Sequence, residues 1–345
     1  MRTDCKPARG LRAKSALARG HAPRNARLVI SPGHVVTSVL PVYLLIAAGA
    51  LARRFGVVRK EHEDGIMRVV YTVMLPAFIL DKILGSEVLR NGSTVLSAFG
   101  LGFFLILTCT AIGAVVGRLI GLERGTGMRT FALSAGTQNF GFTAAPVVEI
   151  LWTQGALAML FIHNIGVELA MWSAGVMIMS GERGLHWRKM LTGPVVAVLA
   201  GLLLVALGLD DKIEGPARRA ISMIGVGGFP LGVFITGCLI MDLIAAEKPS
   251  WRIGIGATLV RMLLAPAVFL CAAKFLPIAT ELRQVLIVQA AMPAGMTPII
   301  LARLYGGRPA VAVQIVVLTT ALSLVTLPWI ISIGCQWTGM KPLLP

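Results

Sequence analysis

Apolar stretches separated by short polar interruptions recur along the chain, at roughly residues 36–52, 66–84, 94–117, 130–151, 155–180, 190–209, 219–241, 253–276, 284–302 and 309–335. Crossing a bilayer as a helix takes about 20 mostly apolar residues. In hydrocarbon the backbone can satisfy its own N–H and C=O groups only as a helix or a closed barrel. The runs lack the strict period-two alternation of a barrel strand. The pattern predicts an all-α integral membrane protein with ten transmembrane helices.

Three prolines within these stretches have a counterpart half a chain later: Pro41 and Pro194, Pro76 and Pro230, Pro146 and Pro298, offset by 153, 154 and 152 positions. The spacing predicts a tandem repeat of five helices per copy, residues 35–182 and 183–345, preceded by an extension over residues 1–34. An odd number of spans makes the second copy enter the membrane upside down, an architecture common among secondary transporters.

Composition sharpens this picture. Of the 345 residues, 56% are hydrophobic and 14% charged, with mean hydropathy +0.80, too little polar surface for a water-soluble fold of this size. The net charge of +16 does not point to nucleic acid, because much of it sits in one place: Arg2, Lys6, Arg9, Arg12, Lys14, Arg19, Arg24 and Arg27 face a single acid, Asp4, in the extension. That arm is expected to be disordered and fits a misplaced translation start. The five cysteines are widely spaced with no C-x-x-C pair, so neither a disulfide framework nor a metal site is expected.

The remaining loop cations set the orientation. Arg53, Arg54, Arg59, Lys60, Arg118, Arg124, Arg129, Arg183, Arg188, Lys189, Lys248, Arg252, Arg303 and Arg308 fall on one side. Lys82, Arg90, Lys212, Arg218, Arg219, Lys274, Arg283 and Lys341 fall on the other. The richer side is expected to be cytoplasmic, with both termini non-cytoplasmic. Gly113, Gly117 and Gly121 form a small-residue stripe on helix 3, which suits close helix packing or a homodimer seam.

Helix 4 is interrupted by Gly136-Thr137-Gln138-Asn139-Phe140-Gly141 before Pro146, and helix 9 by Met292-Pro293-Ala294-Gly295-Met296-Thr297-Pro298. Proline removes a backbone donor and blocks the carbonyl four residues back, so both helices are expected to break inside the membrane. Paired breaks of this kind cross near the midplane, where half-helix N-termini offer amide donors and positive partial charge to an anion. The substrate-binding candidates are therefore Gln138, Asn139, Gly141, Pro146, Pro293, Gly295 and Pro298, joined by Asn164 from helix 5.

Leu40-Pro41-Val42-Tyr43, Arg53-Arg54-Phe55-Gly56, Leu75-Pro76-Ala77, the Gln138-Asn139-Phe140-Gly141 break with Pro146, Ala291-Met292-Pro293-Ala294 and Ala302-Arg303-Leu304-Tyr305-Gly306 occur in this order. Over residues 36–335 the chain thereby resembles the bacterial permeases of the auxin efflux carrier family. The resemblance implies a ten-helix inverted repeat with helices 4 and 9 crossing at prolines, and export or exchange of small organic anions across a bacterial inner membrane. Many members carry a compact Asn-Thr-Gly where this chain has Thr137-Gln138-Asn139-Phe140-Gly141, which leaves the solute open.

Ionisable groups inside the spans are the remaining candidates. Glu168 lies near the centre of helix 5, where a carboxylate costs about 2.5–3.5 kcal/mol on insertion scales. It reads either as a proton-coupling acid or as a buried carboxyl bonded to a neighbouring helix or paired with Arg261. Arg261, in helix 8, reads as a substrate clamp or a structural ion pair. His163 and Asn164 lie one turn from Glu168, and His163 also suits a packed core position. Glu149 reads as solvated, and Gln289, Gln314, Thr319 and Thr320 are lesser candidates for reaching the crossing. Phosphate-binding loops, zinc-hydrolase motifs and nucleophile elbows are absent, so no enzyme activity and no cofactor are expected. Two other readings stay open: a membrane enzyme using Glu168 and His163 as an acid/base pair, and a channel or sensor gating at the crossing.

Overall fold

The computed structural model describes residues 32–181, 191–244 and 250–342. Most of the basic extension, and Arg183, Arg188, Lys189 and Lys248 from the orientation argument, lie outside the described residues.

Among the described residues the chain is helical, without strands, and each apolar stretch has its helix within a few residues of the expected place. In chain order these are α1 (Pro32–Arg54), α2 (residues 60–83), α3 (Gly92–Leu119), α4 in two pieces (Met128–Gly136 and Ala144–Leu151), α5 (Gln154–Ser180), α6 (Gly193–Ala206), α7 (residues 215–244), α8 (Trp251–Phe275), α9 in two pieces (Thr280–Ala291 and Thr297–Leu304) and α10 (Pro309–Thr338). Of these, α1, α3, α5, α7, α8 and α10 are long and apolar enough to cross a membrane.

Local chemistry explains the boundaries. α3 starts at Asn91, whose side-chain oxygen accepts from the Ser93 and Thr94 amides at 3.1 and 3.4 Å and so satisfies two donors that have no intrahelical partner. Its 28 residues rise about 42 Å, more than the hydrocarbon core requires. Beyond its end Gly121 takes φ +79° and terminates the helix, so the glycine stripe ends at Gly117 rather than continuing. The stripe packs inside the molecule: the Ala132 backbone covers Gly113, and the Met128 and Phe131 side chains cover Gly117.

Widened π turns interrupt α2 at Val70–Met74, α5 at Met171–Gly175 and α8 at Val260–Leu264. In α2 and α8 a proline follows within two residues, Pro76 and Pro266. The ring offers no N–H to the carbonyl four residues back, and a wider turn accommodates it.

The helices pack in two groups. α1 lies against the second half of α7, and α2 against α6 and α7; α3 lies against α5 and the first half of α4, α8 against α9 and α10, and the broken α4 and α9 against α10 and α5 respectively. The α3–α5 contact is tight because glycines face it from both sides. A Cβ on Gly102 would collide with the His163 carbonyl, and one on Gly166 with the Phe99 carbonyl. This close approach fixes the height of α5, and with it Asn164 and Glu168, relative to the broken α4.

Candidate functional site

The two interruptions meet backbone to backbone. The Asn139 amide donates to the Pro293 carbonyl at 2.7 Å and the Gly295 amide to the Thr137 carbonyl at 3.0 Å, giving an isolated antiparallel bridge between Gln138 and Ala294. Each helix thus replaces hydrogen bonds lost at its break with bonds to the other, which answers the requirement that backbone groups away from water be paired. The Ala294 amide donates to Thr319 Oγ1 of α10 at 3.0 Å. Gly295 is needed here, because a Cβ would press on the Gln138 carbonyl. The contact falls at residues 137–139 and 293–295, which takes in one of the prolines expected to mark it and leaves out the other two. Of those, Pro293 contributes its carbonyl, whereas Pro146 and Pro298 stand in the first turn of the second half-helices.

Next to this bridge lies a cavity of about 260 Å³. Its polar lining is Gln138, Asn139, Asn164, Glu168, Thr236 and Thr297, with Gly141 and Gly295 at the breaks; the rest is apolar and aromatic. Gln138 is fully buried, and neither its amide oxygen nor its amide nitrogen has a partner. Leaving both unpaired costs free energy on the order of 1–3 kcal/mol per group. The Asn139 amide group donates to Thr143 Oγ1 at 2.9 Å. Asn164 Nδ2 donates to the Phe140 carbonyl at 2.8 Å, and Gln289 Nε2 to Asn164 Oδ1 at 3.3 Å. Loop residue, α5 and α9 are thus joined in one amide network.

Glu168 follows Asn164 by one turn and shares its face, which places it on the same cavity. Its carboxylate accepts from the Trp172 indole N–H at 2.9 Å, so of the alternatives for this residue the ion pair with Arg261 is not formed. Arg261 is buried elsewhere and its Nη1 donates to the Gly136 carbonyl at 3.4 Å. His163 is fully buried beside Phe269, outside the lining. Glu149 is exposed, as expected, and pairs with Lys82 at 3.0 Å. Gln314 bonds both backbone groups of Ser250 and does not join the crossing, whereas Gln289 and Thr319 do.

Sequence reasoning missed the aromatic wall. Tyr71, Phe142, Phe161 and Phe229 line the cavity. With Phe78 they form a chain of ring contacts at centroid distances of 5.0–6.3 Å across α2, the α4 break, α5 and α7. Among the described residues no charged side chain other than Glu168 belongs to the lining.

The profile of a family described as membrane transport protein matches residues 34–188 and 183–331. An uncharacterized transporter of Methanocaldococcus jannaschii is 21% identical over 84% of this chain and 95% of its own length. A second, from Methanothermobacter thermautotrophicus, is 25% identical over the same shares. Auxin efflux carrier component 7 of Arabidopsis thaliana is 30% identical over 43% of this chain, which there corresponds to 25% of the plant protein.

Proposed function

We propose, from the premise that this chain belongs to the membrane transport protein family that includes the auxin efflux carriers, that it is a secondary carrier exporting or exchanging small organic anions. Two inverted five-helix repeats account for the packing: α1 with α7 corresponds to α6 with α2, α3 with α5 to α8 with α10, and the first half of α4 with α10 to the first half of α9 with α5. α1, α2, α6 and α7 then form a scaffold, and the remaining helices a body that carries the crossing and moves against it.

The observation that carries this reading is the unpaired Gln138 side chain at a backbone-welded crossing, beside a cavity lined by amides and rings. The second half-helices of α4 and α9 begin there without side-chain caps, and their positive ends suit a carboxylate. The aromatic wall suits an apolar body on the same molecule. An anion in this cavity meets Glu168, and a proton on either carboxylate removes their repulsion, so Glu168 couples binding to protons. The membrane potential contributes about 2.3 kcal/mol per charge per 100 mV to the exit of an anion from a negative interior.

Counterflow in proteoliposomes over a panel of aromatic and aliphatic carboxylates tests this. Saturable exchange of one class, with every solute recovered unaltered, supports the carrier. Flux linear in concentration favours a pore, and conversion of a solute favours an enzyme.

A further inference from the structure

Arg261 is unused by the cavity. It stands in the π turn of α8, fully buried. Its Nη1 lies 3.4 Å from the carbonyl of Gly136, the last residue of the first half of α4. Its Nε and Nη2 have no acceptor, and no carboxylate pairs with it among the described residues. A charge taken out of water needs compensation. The one found here is the C-terminal end of a half-helix, which carries about half a negative elementary charge.

In carriers built from interrupted helices, those C-terminal ends are where the coupling cation is coordinated. Resting on the carrier reading above, we propose that Arg261 is a tethered cation standing in that place, so the protein needs no sodium ion at the end of the first α4 half-helix. A guanidinium keeps its proton at any physiological pH, so this position neither loads nor releases a cation during a cycle. Glu168 is thereby left as the carboxylate that faces the cavity.

The test is thermal unfolding of the purified full-length protein in detergent, in sodium chloride and in choline chloride at equal ionic strength, for wild type, Arg261→Lys and Arg261→Met. Wild type and Arg261→Lys are expected to melt at one temperature in both salts. Arg261→Met, which keeps bulk without charge, is expected to melt several degrees lower in choline and to recover in sodium as the vacated end of the half-helix takes up an ion. Sodium-specific stabilisation of the wild type overturns the proposal. So does Arg261→Met that is as stable as wild type in choline, or that stays low in both salts. If Arg261→Met yields no folded protein, Arg261→Lys decides: wild-type melting supports a role for the charge, and lowered melting shows a packing role and overturns it. Unfolding requires no solute, so a failed counterflow experiment leaves this result standing.

Discussion

Asn139 and Glu168 bear most directly on what the cavity binds. The Asn139 amide group bonds only within its own loop, to Thr143, and its backbone, not its side chain, makes the bond to Pro293. Asn139→Ala should therefore leave the crossing assembled and the melting temperature near wild type, while solute affinity falls about tenfold for the loss of one charge-assisted hydrogen bond. Undiminished counterflow by this variant removes Asn139 from the site. For Glu168 the sign is fixed by repulsion: an anion binds better when Glu168 is protonated, so affinity should rise as pH falls. Glu168→Gln should flatten that dependence while retaining exchange, measured as counterflow across a pH series. A variant that keeps the wild-type profile assigns the coupling elsewhere. The amides were legible in the sequence because Gln and Asn are costly inside a span and need a reason. The aromatic wall was not, since Phe161 and Phe229 look like any other apolar residues in apolar runs. The partner of Arg261 was also hidden, being a backbone carbonyl 125 positions away.

The spans were readable at the scale of helices because length and hydropathy decide what can cross hydrocarbon, and the breaks were readable from glycine and proline. The register of one helix on another was not, because it depends on which small residues happen to face each other. Gly166 shows this. Its missing side chain lets α5 rest on the Phe99 carbonyl, yet in the sequence it is one of 38 glycines. Gly166→Val should force α3 and α5 apart and destabilise the protein by roughly 1–3 kcal/mol, the usual range for overpacking, seen as lowered thermal unfolding in detergent. It should also displace Glu168 and impair transport. Wild-type melting by this variant would show that the interface can relax around a side chain.

At the scale of the whole molecule, the lining is graded along α2: Tyr71 is exposed, whereas Leu75 and Ile79, one and two turns further on, are buried. Tyr71 lies toward the end of α2 where Glu63 pairs with Arg53, and Leu75 and Ile79 toward the end that carries Lys82. There Lys82 of α2 pairs with Glu149 of α4, and Arg90, between α2 and α3, with Asp210, between α6 and α7, at 3.1 Å. At the other end Arg53 of α1 pairs with Glu63 of α2 and with Asp242 of α7. In oriented vesicles, Thr297→Cys on a background without reactive thiols should react with a charged maleimide from the face carrying Arg53 and Arg303. Lys82→Glu should shift reactivity toward the opposite face, and combining it with Glu149→Lys should restore the original pattern. Labelling that is equal from both faces in the parent variant contradicts this one-sided access.

The bridge between Gln138 and Ala294 has an evolutionary corollary. Because main-chain atoms, not side chains, fasten the two interruptions together, the bridge does not depend on the side chains at positions 138 and 139. Cargo preference is therefore free to drift by substitution at those positions without dismantling the chassis, and Gly295 is the letter that cannot be changed.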